Sequence, residues 1–311
     1  MSIRRVLCLL LTLLCPAVAA SAEKSFWQSK DAYLRQPHPS STPRPFAPAL
    51  LRQGNLFGMG RVAFSADGRE FYYALNDSWI SGVHAQLRCL RFTGHAPDHG
   101  WSQDILIGEQ FLSPTLSADG NTLSMRHIVP HGSMNNVWES HRTASGWSAP
   151  APFLEESFGV YDYMPTRSGN AYVGSEPDAD DKAHGIDYAY SVLTFSGNQP
   201  QVRSLGRPVN EPGFNGDLYI APDESYLIVS AKETPTYQSQ LYIAFHRRDG
   251  SWTTPVSLGE KINRGLAHRW GQYVSPDGKY LFYCHGTSEK DCAIYWVRFD
   301  TLLAKLRPKN L

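Results

Sequence analysis

Asp162 and Asp217 are the acidic residues whose placement most suggests chemistry. Each stands seven residues before the end of a recurring five-residue motif, at the position held in other copies by Arg61, Ser113 and Gly271. Two carboxyls in one site can act as acid and base, or as acid and nucleophile, in glycoside hydrolysis. That chemistry requires them to be roughly 5 to 10 Å apart. His127, Glu176 and His285 each lie seven residues after the last residue of a motif copy, and Arg269 and Trp270 immediately precede Gly271. Arg61, His127, Asp162, Glu176, Asp217, Arg269, Trp270 and His285 are therefore the candidate ligand-binding set, and Asp162 and Asp217 are the catalytic candidates should the chain be an enzyme.

Other groups point less far. His127 and His131 have the spacing of metal ligands on a helix, but they sit at a strand end and in a loop with Pro130, so no metal site is assigned. The run Glu176-Pro177-Asp178-Ala179-Asp180-Asp181 offers oxygen ligands without the alternation and closing Glu of a calcium loop, and it reads as a solvated turn. There is neither a Gly-x-Ser-x-Gly elbow nor a Gly-rich phosphate loop with its Lys, and no cofactor is implied. Cys284 and Cys292 flank a short loop between two strand-like runs, and antiparallel pairing there predicts a disulfide. That leaves Cys89 as a buried thiol.

The elements that must position these residues come from a repeat. An apolar residue, Ser, a small residue, Asp and Gly recur as Phe64-Ser65-Ala66-Asp67-Gly68, Leu116-Ser117-Ala118-Asp119-Gly120 and Val274-Ser275-Pro276-Asp277-Gly278. Weaker copies are Pro165-Thr166-Arg167-Ser168-Gly169 and Ile220-Ala221-Pro222-Asp223-Glu224. The copies end at 68, 120, 169, 224 and 278, giving intervals of 52, 49, 55 and 54 residues, which suits a four-stranded blade. Asp-Gly between aromatic or aliphatic runs, such as Glu70-Phe71-Tyr72-Tyr73 and Tyr280-Leu281-Phe282-Tyr283, is a hairpin signal. Third strands follow at Gln86–Leu90, Asn136–Glu139, Tyr188–Ser191, Gln240–Ile243 and Ala293–Trp296. Fourth strands begin near Trp101, Trp147 and Trp252, whose rings are expected to pack between neighbouring blades.

In these residues the chain resembles the TolB-type, WD-like β-propeller repeats. Val274-Ser275-Pro276-Asp277-Gly278-Lys279-Tyr280-Leu281-Phe282 is the best match, and Trp252 to Asn263 is similar to the outer strand and inter-blade loop of such repeats. The resemblance spans roughly residues 58 to 298. It implies a propeller fold and a family that includes binding scaffolds and propeller domains attached to enzymes.

An all-β single propeller is predicted, with five four-stranded blades and six as the alternative, closed by an N-terminal strand from Phe46 to Leu51. Residues 46–311 form this domain, and 23–45 form a loosely ordered lead-in containing Pro37, Pro39, Pro43 and Pro45. In residues 1–22, Arg4 and Arg5 precede an apolar run from Val6 to Leu14, and Ala20-Ser21-Ala22 follows. This reads as a signal peptide cleaved near Ala22, with a periplasmic or secreted product. No later segment is apolar enough to span a bilayer. Lys plus Arg and Asp plus Glu both number 29, with no basic aromatic stripe, which argues against nucleic acid as a partner. The expected function is binding of a protein, peptide or glycan through the rim face. A carbohydrate-active enzyme is the alternative.

Overall fold

The computed structural model describes residues 25–79, 81–95, 100–102, 104–128, 136–154, 161–197, 199–233 and 238–311. The expected signal peptide and His131 lie outside the described residues. Five small antiparallel sheets form a ring, so the fold is a five-bladed β-propeller.

Each blade is built around the hairpin its motif encodes. Blade 2 runs Phe111–Leu116, Thr122–His127 and Asn136–Thr143, edged by Gly146–Trp147 and Ala151–Leu154. Blade 3 is Tyr161–Pro165, Ala171–Ser175, Ala189–Ser196 and Gln199–Ser204, and blade 4 is Leu218–Ile220, Tyr226–Glu233, Gln238–Phe245 and Val256–Ser257. In blade 1 the inner strand is split into Leu56–Gly58 and Ala63–Phe64, both paired with Glu70–Asn76, before Gln86–Arg91 and Ile105–Glu109. The last residue of every motif copy has positive φ, from 59° at Glu224 to 90° at Gly169, which is the turn conformation that Gly adopts without penalty. Within the turns Asp67 accepts from Ser65 Oγ at 2.6 Å and from the Arg69 N–H at 3.0 Å, and Asp119 and Asp277 repeat the pattern. Glu224 holds the strained position because its carboxylate accepts from Thr166 Oγ1 at 2.7 Å and Tyr172 Oη at 3.0 Å, tying blade 4 to blade 3.

Two of the three tryptophans pack between blades as expected, whereas Trp101 packs on Phe92 of its own blade and donates to Asp31 O of the lead-in at 3.0 Å. Trp147 donates to Tyr72 Oη of the preceding blade at 3.0 Å, and Trp252 meets Tyr172 edge-on at 6.2 Å.

The ring closes at blade 5, where His268–Val274, Tyr280–Gly286 and Ala293–Arg298 are joined by an N-terminal strand. That strand is Arg44–Pro45, with Arg44 opposite Trp296 and the Phe46 N–H donating to Ile294 at 2.8 Å. This corrects the Phe46 to Leu51 assignment: Pro48–Leu51 is a short helix, since Pro48 has no N–H to give a ladder and its fixed φ suits a first helical position.

The lead-in also differs from expectation, for from residue 25 it docks on the propeller through buried Trp27 and Tyr33. Trp27 donates to Ala66 O at 3.0 Å across the blade 1 turn, and Tyr33, fully buried, donates to Asp277 Oδ1 at 2.6 Å across the blade 5 turn. Tyr33 sits among Trp27, Phe64, Tyr280 and Trp296. Four prolines suggested looseness. Two large aromatic rings burying apolar surface against both sides of the ring seam outweigh the cost of ordering the segment.

Candidate functional site at the channel mouth

The start of each inner strand faces the central channel, and there the sheet is distorted. Ser113, Asp162 and Gly271 all have positive φ, of 52°, 52° and 64°, each inside a register shift of its hairpin. These bulges turn the chain inward at equivalent points of blades 2, 3 and 5. At Gly271 a side chain is excluded as well, because a Cβ would lie 2.5 Å from the Gly60 carbonyl carbon.

Arg61 crosses the channel. It is 1% exposed, with Nη1 donating to Thr115 Oγ1 at 3.0 Å and Nη2 donating to Asp162 Oδ1 at 3.3 Å and Leu218 O at 3.1 Å. Asp162 Oδ2 accepts the Leu218 N–H at 3.2 Å, so one ion pair bonds to four of the five blades. Burial, reinforced by the Asp217 charge, outweighs the Arg61 and Arg126 guanidinium groups and pushes the Asp162 carboxyl up to about 7.

Beside this plug opens a cavity of about 670 Å³. Every blade contributes to its wall: Met59, Gly60, Trp79 and Ser81 from blade 1, Leu112, Arg126 and Ile128 from blade 2, Tyr188 from blade 3, Asn215 to Asp217 from blade 4, and His268, Trp270 and Glu289 from blade 5. One side is aromatic. The His268 ring stacks on Trp270 at 4.0 Å, and Trp79 meets Trp270 edge-on at 5.5 Å. Asn76, fully buried, donates to Ser78 O at 2.6 Å and Ser81 O at 2.8 Å, and Glu289 accepts the Trp79 N–H at 2.7 Å and Ser78 Oγ at 3.0 Å. These bonds fix the main chain of the loop that carries Trp79 before any ligand arrives. Asp217 Oδ2 accepts the Gly271 N–H at 2.8 Å, and its own carbonyl accepts from Gln272 Nε2 at 2.9 Å.

The residues singled out from sequence divide three ways. Asp217 and Trp270 line the cavity, and Arg61 and Asp162 form the buried plug. Asp162 and Asp217 are brought close enough for the charge of one to act on the other, but Asp162 does not line the cavity. The remaining four lie off it. His127 is flanked by Trp138 at 4.5 Å and Phe111 at 4.8 Å, and burial lowers its pKa. Glu176 is exposed away from the cavity. His285 lies against Tyr295 at 4.8 Å in an open groove lined also by Lys261 and Arg264, and burial, with the Arg269 charge, lowers its pKa. Arg269 is 1% exposed and donates to five main-chain carbonyls, those of Ile262, Ser239, Ala267, Arg264 and Gly265, so it clamps the connection from blade 4 to blade 5.

Trp79, Arg126, Tyr188 and Glu289 were missed because they stand at neither of the two offsets, seven residues before and seven after a motif end, from which the aligned candidates were drawn. The signal for two of them is topological: the loop after a second strand opens on the mouth face, and Trp79 and Glu289 lie in such loops.

The expected Cys284–Cys292 bridge is not formed. Cys284 and Cys292 are neighbouring buried thiols, and burial together with the Cys292 thiol raises the Cys284 pKa; the Cys284 Sγ also accepts the Gly60 N–H at 3.0 Å. Cys89 is buried too, and desolvation pushes its thiol up to about 12. The acidic loop caps the short helix Ala179–Ala183, with Asp178 accepting the Asp181 N–H at 2.9 Å. Among the described residues no group of three or more His, Cys, Asp or Glu is placed to hold a metal ion, and no helix is long and apolar enough to cross a membrane.

Fold and site together define a five-bladed β-propeller with a pocket at one channel mouth and a buried ion pair beside it. No family model matches the chain, and no curated protein matches it in sequence. Among solved structures it is similar to the hydrazine synthase of Kuenenia stuttgartiensis, at 13% identity over 72% of this chain and 60% of that one, with a TM-score of 0.40. Apo prolyl oligopeptidase B from Galerina marginata is 12% identical over 84% of this chain and 42% of that one, at 0.43. The tricorn protease gives 12%, 81%, 26% and 0.43 in the same terms. The chain spans less than two thirds of the length of each, and likeness at this level assigns no activity.

Proposed function

We propose that this chain is an exported, TolB-like binding propeller, periplasmic or secreted, that takes a projecting group of an envelope protein, peptide or glycan into its mouth cavity. One observation carries the reading: all five blades line a single cavity, and the loop that brings Trp79 to it is anchored in advance by Asn76 and Glu289. A preformed pocket of mixed apolar and polar lining is what a small ligand needs, because little ordering remains to be done on binding.

The enzyme alternative has one observation in its favour. A carboxyl held near neutrality beside a second carboxylate matches the division between a general acid and its partner. Against it, Asp162 is spent on Arg61 and the Leu218 N–H and does not reach the cavity wall.

The test is a thermal-shift panel of disaccharides, dipeptides and free amino acids on residues 23–311. A ligand at about 100 times its Kd adds about 2.7 kcal/mol of stability. In a domain of this size that raises Tm by several degrees. The shift should vanish in Trp79→Ala and persist in Glu176→Ala. A shift that survives Trp79→Ala, or vanishes in Glu176→Ala, places binding elsewhere and defeats the proposal. Turnover of a bound sugar that is lost in Asp162→Asn makes the enzyme reading the better one.

A further inference from the structure

We infer that the group the mouth cavity takes is a neutral saccharide, seated with its apolar face on Trp79, which Trp270 backs, and its hydroxyls shared between Asp217 and Arg126. The inference rests on the reading of this cavity as a binding site and adds the ligand's chemical class.

The charges select against other classes. Arg126 lines the cavity on the blade 2 side, and Asp217 and Glu289 line it from blades 4 and 5. An organic cation gains from the two carboxylates and the ring faces but meets the guanidinium. An anion gains from Arg126 but meets both carboxylates. The wall carries both signs, so neither class of charge is matched by the lining as a whole. A polyol gains from both, since hydroxyls donate to carboxylates and accept from a guanidinium, and hydrogen bonds to charged partners are the strong ones. One carboxylate oxygen of Asp217 is already fixed by the Gly271 N–H, so the acceptor is oriented before the ligand enters.

The opposite wall completes the match. Trp270 stacks with His268 and is 6% exposed, while Trp79 stands edge-on to it and is half-buried. Trp79 presents the accessible apolar surface, with the nearly buried Trp270 ring behind it and polar groups beside it, which suits a ring with one apolar face and a polar rim. Asn215 and Tyr188 add neutral polar atoms between the two walls.

The test is isothermal titration of residues 23–311 with four probes: cellobiose, di-N-acetylchitobiose, diglycine and choline. Variants are Trp79→Ala, which keeps the main-chain N–H that Glu289 accepts, and Asp217→Asn, which keeps an acceptor for Gly271. Circular dichroism and Tm verify that both are folded. A disaccharide is expected to bind at least about tenfold more tightly than diglycine or choline, and each variant to weaken it about tenfold or more. Disaccharide binding unchanged in either variant overturns the inference. Binding of diglycine or choline in preference to both sugars, abolished by Trp79→Ala, overturns the saccharide while leaving the cavity as a site. Absence of binding by all four probes overturns the saccharide assignment, and the cavity reading fails with it if the thermal-shift panel is also silent.

Discussion

Replacing Arg61 by Leu should destabilise the protein by about 3–5 kcal/mol at pH 8 and by distinctly less at pH 5. The first figure is the usual consequence of leaving one member of a buried ion pair without the other. Arg61 also bonds to Thr115 and Leu218 O, so three contacts between blades go with it. The pH dependence follows from Asp162. Its folded pKa, about 7, lies above the roughly 3.9 of an unfolded aspartate, so the stability it contributes is complete at low pH and is lost as pH rises towards 7. Without the opposing guanidinium the folded carboxyl holds its proton to higher pH still, and the loss continues above 7. At pH 5 Asp162 is protonated with or without Arg61, and the variant forfeits only the hydrogen bonds. Urea unfolding at the two pH values, with Asp162→Asn as the background in which the pH difference disappears, measures this. An equal effect at pH 5 and pH 8 would mean that Asp162 does not titrate as its surroundings require.

Tyr33→Ala should cost a comparable 3–5 kcal/mol, the range for emptying a buried aromatic site. Tyr33 lies outside every blade, so this is a sharp expectation for a residue in a proline-rich leader. Its ring touches Trp27, Phe64, Tyr280 and Trp296, and its hydroxyl reaches Asp277 at 2.6 Å. The residue also holds a left-handed backbone, with φ of 52°, as do Leu34 and Arg35 at 55° and 59°. That conformation persists only because packing over-determines it. Since Tyr33 bonds to the blade 5 turn and packs on Phe64 of blade 1, its loss loosens a seam that Arg44–Pro45 and the Phe64 N–H, donating to Tyr273 Oη at 2.9 Å, also hold. Tyr33→Phe isolates the hydroxyl and should cost about 1 kcal/mol. Tyr33→Ala with a denaturation midpoint within experimental error of the wild type would show that the leader is a passenger.

The hairpins and blade count were legible because each motif carries its own turn chemistry. Ser65 and Asp67 bond within the turn, Gly68 supplies the positive φ, and the same arrangement returns at Ser117 and Ser275. Even the degenerate copy ending at Glu224 keeps the left-handed backbone, and the interval arithmetic places it where no Gly marks it. The inward positions were legible for the same reason, since Ser113, Asp162 and Gly271 share one offset from their turns and one bulge in the structure.

The environment of those residues was not legible. Asp162 and Asp217 look alike in sequence, yet one is buried under Arg61 and the other lines a cavity, a difference made by a side chain from a blade about 100 residues away. Arg269 reads as a ligand-binding charge of the rim, because carbonyls from a surrounding loop leave no mark on composition. Trp79 and Glu289 belong to loops that meet only when the ring closes. Looseness was inferred for residues 23–45 from their prolines, although the aromatic residues at 27 and 33 are what determine where the segment packs.

The most direct measurement on the mouth cavity is a crystal structure of residues 23–311 grown with the ligand that raises Tm most. Density is predicted between the Trp79 and Trp270 rings on one side and Asp217 and Arg126 on the other, with the Arg61–Asp162 pair intact beneath. Density in the Lys261, Arg264 and His285 groove, with the mouth cavity holding none of the ligand, would contradict the account.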